Sequence, residues 1–120
     1  MATRSYIGIE NEDGTVDYTY CHFDGYPEGV GHDVFSNTRD ETREIVRQGP
    51  MSSVGYPYRE GESSERVKNR DAFFAIENLK RMNAEYAYLH CVNGEWMCFS
   101  YTFDSPRLLS HLLKSIGTKI

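Results

Sequence analysis

The chain has 120 residues, of which 39% are hydrophobic and 13% aromatic, enough apolar material for one compact core. Such a composition argues against global disorder. Eighteen acidic residues against 13 basic ones give a net charge of −5. Because nucleic-acid binding depends on Lys and Arg meeting phosphates, this charge argues against a nucleic-acid partner.

Segments for export or membrane insertion are not evident in the sequence. No apolar stretch approaches the roughly 20 residues that cross a bilayer, and the N-terminal stretch holds no apolar signal core. Cys21, Cys91 and Cys98 are odd in number and lack C-x-x-C spacing, which favours buried reduced thiols over a disulfide or a zinc site. We therefore expect a cytoplasmic protein with no membrane partner, no cofactor and no metal.

Residues 4–23 predict a first β-hairpin, with Asp13-Gly14 as the turn because glycine accepts the positive φ of a tight turn. A loop of two or four residues would place alternate apolar side chains of both strands on one face. That face would hold Ser5, Ile7, Ile9, Val16, Tyr18, Tyr20 and His22. The hairpin would then be half-buried, with His22 in the interior.

The middle of the chain reads as helices and loops. Residues 25–31 are rich in glycine and lead into a short helix over 32–36. Thr38 and Glu41 match a capping box, which predicts a surface helix that reaches about Gln48. It would stop at Gly49.

Residues 50–64 are rich in Gly, Pro, Ser and Tyr and predict a long, mobile loop. Apolar residues at helical spacing predict a helix over 69–83.

Asn93-Gly94 predicts a second hairpin over 85–101 with a two-residue turn. That turn would pair Cys91 with Trp96 and Leu89 with Cys98. Both faces would be apolar, so we expect each to be covered by helices or by a second copy of the chain.

A last helix is predicted over 106–116, capped by Ser105, with Pro106 at its first position and Gly117 after its end. Its apolar stripe consists of Leu108, Leu109, Leu112, Leu113 and Ile116. The predicted fold is a single α+β domain over 1–120. Its antiparallel sheet comes from the hairpins at about 4–23 and 85–101, with helices packed on it.

His22 and Asp24 form the first candidate for chemistry. On one strand they point to the same side, so the carboxylate could orient the imidazole for acid–base catalysis. A hydrogen-bonded structural histidine is the alternative that we favour. No other combination of nucleophile and base is evident, so a protein without enzyme activity is the favoured interpretation and an enzyme stays open as an alternative.

The glycine-rich segment 25–31 is a weak candidate for anion binding, because amides at a helix start can hold a phosphate. Glu28 and Asp33 would repel an anion, so a turn that carries the chain across the sheet is the favoured interpretation.

The loop after Gly49 and the segment behind it supply the candidate binding residues, which are Tyr56, Tyr58, Arg59, Arg66 and Arg70. Tyrosine beside arginine is typical of recognition hot spots. The same residue types could stack on a purine and hold a phosphate. The alternative is a solvated loop whose tyrosines cover the edge of the core.

Several stretches resemble a family of short proteins of bacteriophages and bacterial mobile elements that open with MATRSxIxxExxDGxVxxxYCHWDGY. The matching stretches are 1–5, 7–10, 13–14, 20–22, 24–26 and 29–31, with looser likeness at 49–54, 58–60 and 85–97. Phe23 stands where the family has Trp, Pro50-Met51 replaces Asp-Ile, and the segment after Ser105 looks like an extension.

The resemblance implies a phage-type accessory protein that acts inside a bacterium. Our leading hypothesis is a binding protein that inhibits a bacterial host or antiviral-defence factor. The alternatives are a protein that sequesters a small nucleotide signal and a small enzyme that uses His22 and Asp24. The two apolar faces of the second hairpin and the leucine stripe also predict a homodimer or higher oligomer.

Overall fold

The computed structural model describes residues 2–57, 64–75 and 84–117. Within these ranges the α+β fold contains eight strands and four α-helices. The strands are β1 (Ser5–Glu10), β2 (Val16–Cys21), β3 (Met51–Ser53), β4 (Tyr56–Pro57), β5 (Glu65–Val67), β6 (Tyr86–His90), β7 (Trp96–Ser100) and β8 (Arg107–Leu108). The helices are α1 (His32–Phe35), α2 (Arg39–Arg47), α3 (Arg70–Phe73) and α4 (Leu109–Ser115), and a π-helical turn at Pro27–Gly31 precedes α1.

The strands form one mixed sheet in the order β4-β3-β2-β1-β6-β7-β8. Both predicted hairpins are present, but β1 and β6 join them in parallel, with Ser5 opposite Tyr86. The expectation of a purely antiparallel sheet was therefore wrong. A parallel pair between strands so far apart in the chain leaves no local sequence signal, because it depends on long-range contacts.

The outer edge of β2 is shared by two short strands. β3 runs parallel to it at Cys21, and β5 runs antiparallel to it beside Val16–Tyr18. Part of the predicted 50–64 loop is therefore sheet, and Met51 is fully buried there. Strands of two and three residues are too short to show an alternating pattern, and the glycine and serine residues of this stretch are typical of loops. Residues 58–63 lie outside the described ranges.

The register of the first hairpin differs from the prediction by one residue. Asn11 and Thr15 close a three-residue loop, in which Gly14 adopts a φ of +90°. An odd loop reverses the face of the second strand, so Ile7 lies opposite Thr19 and shares its face with Cys21. The predicted face with Val16, Tyr18, Tyr20 and His22 was wrong for β2, whose side chains there lie beside Tyr6 and Gly8.

The second hairpin shows the same shift for the same reason. Its loop spans three residues between Cys91 and Glu95, with Gly94 at a φ of +91°. His90 therefore faces Trp96, and Tyr88 faces Cys98. The predicted partners Cys91–Trp96 and Leu89–Cys98 were wrong, because Asn-Gly sits here in a longer loop than the two-residue turn it usually marks.

Both faces of the sheet are covered, as expected from the apolar second hairpin. One face packs under α1, α2 and α4 with Ile7, Ile9, Tyr88, Trp96, Leu109 and Leu113 among its core residues. The other packs with α3 around Tyr6, Val16, Phe73, Phe74, Leu89 and Phe99. The chain supplies this cover itself, so the two-faced hairpin does not require a second copy.

The first two predicted helices are confirmed. Helix α2 begins with the complete capping box, since Thr38 and Glu41 exchange side-chain-to-backbone hydrogen bonds. It ends before Gly49, whose φ is +82°. The helix predicted over 69–83 starts at its Asn69 cap but ends at Phe73, and residues 76–83 lie outside the described ranges.

The start of the last helix was predicted too early. Residues 107–108 pair with β7, and α4 begins at Leu109, so Ser105 and Pro106 do not cap it. Pairing with the sheet edge overrode the local helix-start signal. The helix ends before Gly117, and its stripe buries Leu109, Leu112 and Leu113 while Ile116 stays exposed. None of the described helices is long and apolar enough to span a membrane.

Candidate functional site

The four central strands end in two chemically different regions. One end holds the paired residues Ser5, Cys21, Tyr86 and Ser100, and the other holds Glu10, Val16, His90 and Trp96. We call the first the aromatic end, which extends through residues 22–28 and β4. We call the second the turn end, since both three-residue hairpin loops lie there.

At the turn end the buried Glu10 carboxylate is fully engaged. The Nε and Nη2 of Arg70 donate to its two oxygens at 2.9 and 2.8 Å, and the amide of Val92 donates at 3.1 Å. The bond from Arg70 is the main reason that the pKa of Glu10 is lowered. Arg70 therefore neutralises a carboxylate of its own chain.

Asp17, on β2, is likewise a carboxylate that an arginine of the same chain neutralises. Arg66 donates to it from Nε at 2.6 Å and from Nη2 at 3.1 Å, and Asn11 donates at 3.1 Å. Arg43 completes the group at 3.8 Å. The bond from Arg66 is the largest contribution to the lowered pKa of Asp17.

Arg39 connects the ends of β1 and β6 at the turn end by donating hydrogen bonds to uncharged acceptors. It donates to the carbonyl of Cys91 at 2.8 Å and to the carbonyl of Glu10 at 2.6 Å. It also reaches Nδ1 of His90 at 3.1 Å. A guanidinium can only donate, so that nitrogen accepts and His90 is neutral with its proton on Nε2. Burial, and then the charge of Arg39, lowers the pKa of His90.

The aromatic end presents large side chains to solvent. Phe23 is 45% exposed, Tyr26 39% and Tyr56 68%. Backbone bonds hold this surface together, since the Phe23 amide donates to the Ser52 carbonyl at 2.8 Å. The Ser52 hydroxyl donates in turn to the Tyr56 carbonyl at 3.3 Å. The backbone segments that carry Phe23 and Tyr56 are thus fixed to the same residue, Ser52, by hydrogen bonds.

The glycine-rich segment crosses the sheet above Tyr88. The buried Tyr88 hydroxyl donates to the Gly25 carbonyl at 2.6 Å, and a Cβ at Gly31 would lie 3.1 Å from the same ring. A Cβ at Gly25 would lie 2.8 Å from the Thr3 carbonyl oxygen. The amide of Gly25 donates to Thr3, and the amide of Gly29 donates to Tyr26. The amides of Gly25 and Gly29 are therefore already hydrogen-bonded to backbone carbonyls. This supports the interpretation of the segment as a turn that carries the chain across the sheet.

His22 follows Cys21, the last residue of β2, and is half-buried. Its predicted interior position was wrong because the residue lies past the end of the covered strand. Its Nδ1 shares a hydrogen bond of 2.8 Å with the Tyr20 hydroxyl, and its ring meets Phe23 edge-on at 4.5 Å. The carboxylate of Asp24 accepts from the Tyr26 hydroxyl at 3.1 Å. The two candidate catalytic groups are each bonded to a tyrosine.

The three cysteines are free and buried, as predicted. Burial raises the pKa of Cys21 to about 11 and that of Cys98 to about 12, and it raises the pKa of Cys91 as well. Thiols of this kind stay protonated at neutral pH and are poor nucleophiles. Within residues 2–57, 64–75 and 84–117, no group of His, Cys, Asp and Glu is arranged to hold a metal ion.

Of the five predicted binding residues, the three that the structure describes do not come together. Tyr56 lies at the aromatic end, while Arg66 and Arg70 lie at the turn end. Asp17, the partner of Arg66, and Cys21 are four residues apart on β2, or about 13 Å. Tyr58 and Arg59 lie outside the described residues.

Phe23 and Tyr26 are exposed at the aromatic end but are not among the predicted binding residues. Two aromatics flanking Asp24-Gly25 were the available signal, because a turn dipeptide places its neighbours at the surface.

Comparison with known proteins does not extend the site. No protein-family model matches the chain, and neither the curated proteins nor the solved structures give a significant match. The assignment of function therefore depends on the two ends of the sheet.

Proposed function

We propose that this chain is a small binding protein of the phage accessory type, and that it inhibits a bacterial host or antiviral-defence factor through its aromatic end. The observation that carries the proposal is the exposure of Phe23, Tyr26 and Tyr56 at the same end of the sheet. The phage context comes from the resemblance of the opening residues, and the site of action would be the bacterial cytoplasm.

Exposed aromatic rings are the residue type that most often anchors protein interfaces, since they bring large contact area at low entropic cost. The backbone of Phe23 is fixed by the hydrogen bond from its amide to the Ser52 carbonyl, and its ring contacts the ring of His22 edge-on. A ring that is already placed loses little freedom on binding, which supports recognition by a preformed surface.

The test is affinity capture from bacteria that express the tagged chain, followed by quantitative mass spectrometry. Phe23→Ser and Tyr56→Ser should lose a partner that the unaltered chain retains. Val92→Ser is the matched control, because Val92 is 44% exposed at the turn end. Capture that is the same for all four proteins, or no specific partner for the unaltered chain, would contradict the proposal.

Sequestration of a small nucleotide is the second candidate function. The supporting observation is Arg39, whose hydrogen bonds to the described residues go to two carbonyls and a neutral histidine. A phosphate would be drawn to such a charge. Thermal melting with a panel of mono- and cyclic nucleotides tests it, and a flat melting temperature across the panel would eliminate it.

Oligomerisation remains a separate prediction. The apolar cover of the sheet is intramolecular within the described residues, so a dimer would have to use the exposed side chains. Light scattering at increasing protein concentration decides between a monomer and a dimer.

A further inference from the structure

Three carboxylates lie at or near the aromatic end, and their ion pairing differs from that of the carboxylates at the turn end. Asp24, Glu28 and Asp33 are all exposed. Asp33 lies 4.0 Å from the neighbouring His32, and within the part of the chain that the structure describes none of the three pairs with Lys or Arg. At the turn end, in contrast, Glu10 and Asp17 each hold an arginine.

The carboxylates act on the aromatic groups beside them. Asp24 accepts the hydroxyl bond of Tyr26, and Glu28 adds its charge nearby, so the pKa of Tyr26 is raised. Asp24 and Asp33 both contribute, after burial, to the raised pKa of Cys21. The exposed rings and these carboxylates therefore lie at the same end of the sheet.

Asp24 also occupies a backbone conformation that does not suit it. Its φ of +58° is in the left-handed region, which favours glycine. The carboxylate in that position accepts the Tyr26 hydroxyl bond and thereby orients the ring at the surface.

We propose that the aromatic end binds an arginine-bearing protein segment, with guanidinium groups stacked on Phe23 and Tyr26 and paired with Asp24 and Glu28. This inference rests on the proposed binding function and names the chemistry of its partner. Guanidinium combines a planar face for aromatic rings with a fork of donors for carboxylates, which ammonium lacks. The same fold already shows such a stack, since Arg107 lies 4.3 Å above the ring of Phe103.

The test uses the full chain and three synthetic probes, repeating Arg-Ser-Gly, Lys-Ser-Gly and Glu-Ser-Gly peptides, in fluorescence anisotropy. We expect the Arg peptide to bind about five-fold more tightly than the Lys peptide. The Glu peptide should not bind. Raising the salt to about 0.5 M should weaken the Arg complex several-fold. Equal binding of the Arg and Glu peptides, or no binding of the Arg peptide, would overturn the inference without any variant.

Charge variants complete the test. Asp24→Asn with Glu28→Gln should weaken the Arg peptide about five-fold, since each exposed ion pair contributes little alone. Glu12→Gln, an exposed carboxylate at the turn end, is the matched control and should bind as the unaltered chain does. If the Phe23→Ser change abolishes partner capture while the charge variants bind normally, the proposed function stands and the arginine inference fails. If Phe23→Ser leaves partner capture intact, the proposed function itself fails.

Discussion

The turn end and the aromatic end belong to the same four strands but treat their polar groups in opposite ways. At the turn end, Glu10 and Asp17 each hold an arginine, and Arg39 bridges two strand ends through their carbonyls. At the aromatic end, Asp24 and Glu28 hold no arginine within the described ranges, and rings face the solvent.

We propose that the turn end stabilises the fold and that the aromatic end binds a partner. Charged groups that satisfy one another inside a chain have little to offer a ligand, because a ligand would have to displace the internal partner. Exposed carboxylates without a cationic partner among the described residues, and exposed rings, add little to the stability of the fold, which supports the proposed binding role. Substitutions of the paired charged groups at the turn end should therefore lower the free energy of unfolding, and those of the exposed groups at the aromatic end should lower it less.

The largest effect is expected for Arg39→Ala at the turn end. The change removes the donors of two backbone carbonyls and His90, and should lower the free energy of unfolding by about 2–4 kcal/mol. Chemical denaturation measures it. Arg47→Ala is the matched control, since Arg47 is 69% exposed beside Glu44 and should change stability by less than about 0.5 kcal/mol. Equal losses in the two variants would remove the special role of the turn end.

Tyr88→Phe tests how the glycine segment is attached beneath the aromatic end. The buried Gly25 carbonyl would lose its donor, which should cost about 1–3 kcal/mol. Tyr101→Phe, on an exposed ring, should cost nothing measurable in the same denaturation series. A Tyr88→Phe protein as stable as the unaltered one would show that water replaces the hydroxyl.

The pH dependence of stability should come first from the turn end. The pKa of His90 lies below its unfolded value of 6.5, so the unfolded chain takes up the proton first and stability falls as pH drops below about 6.5. The slope from this group is at most about 1.4 kcal/mol per pH unit. Glu10 and Asp17, whose pKa values are also lowered, add their losses only below their unfolded values of 4.5 and 3.8.

His90→Asn separates these contributions. The Asn carbonyl oxygen can still accept from Arg39 but does not titrate, so the decline between pH 6.5 and 5 should flatten while the loss at lower pH stays. Melting curves across pH provide the measurement. An unchanged slope would assign the titration to another group.

The smallest effect is expected at Asp24. Asp24→Gly relieves the positive φ but makes the unfolded chain more flexible, so stability should change by less than about 0.5 kcal/mol. Asp24→Ala keeps the positive φ and removes both the hydrogen bond from the Tyr26 hydroxyl and the tolerance of Asp for this conformation, so it should lose up to about 1 kcal/mol. Gly94→Ala at the turn end, where no neighbouring atom lies within 4 Å of the added carbon, provides the matched conformational cost. A large loss for Asp24→Gly would make Asp24 structural.

Much of the candidate site was beyond the sequence because it depends on partners distant in the chain. Arg66 and Arg70 carry a recognisable side chain, but only the folded chain brings them to Asp17 and Glu10, 49 and 60 residues away. The same pairing separates them from Tyr56. The sequence shows that Phe23 and Tyr26 are aromatic, but their exposure depends on how residues 25–31 cross the sheet.

Local signals determined the elements themselves. Asp13-Gly14 and Asn93-Gly94 located both hairpins, the Thr38–Glu41 capping box located α2, and Gly117 marked the end of α4, since each acts through neighbouring atoms. Loop length, and with it the face of every side chain on β2 and β7, was decided by packing. So were the parallel pair β1–β6, the edge strands β3 and β8, and the partner of each arginine, because contacts between distant residues are formed only in the tertiary structure.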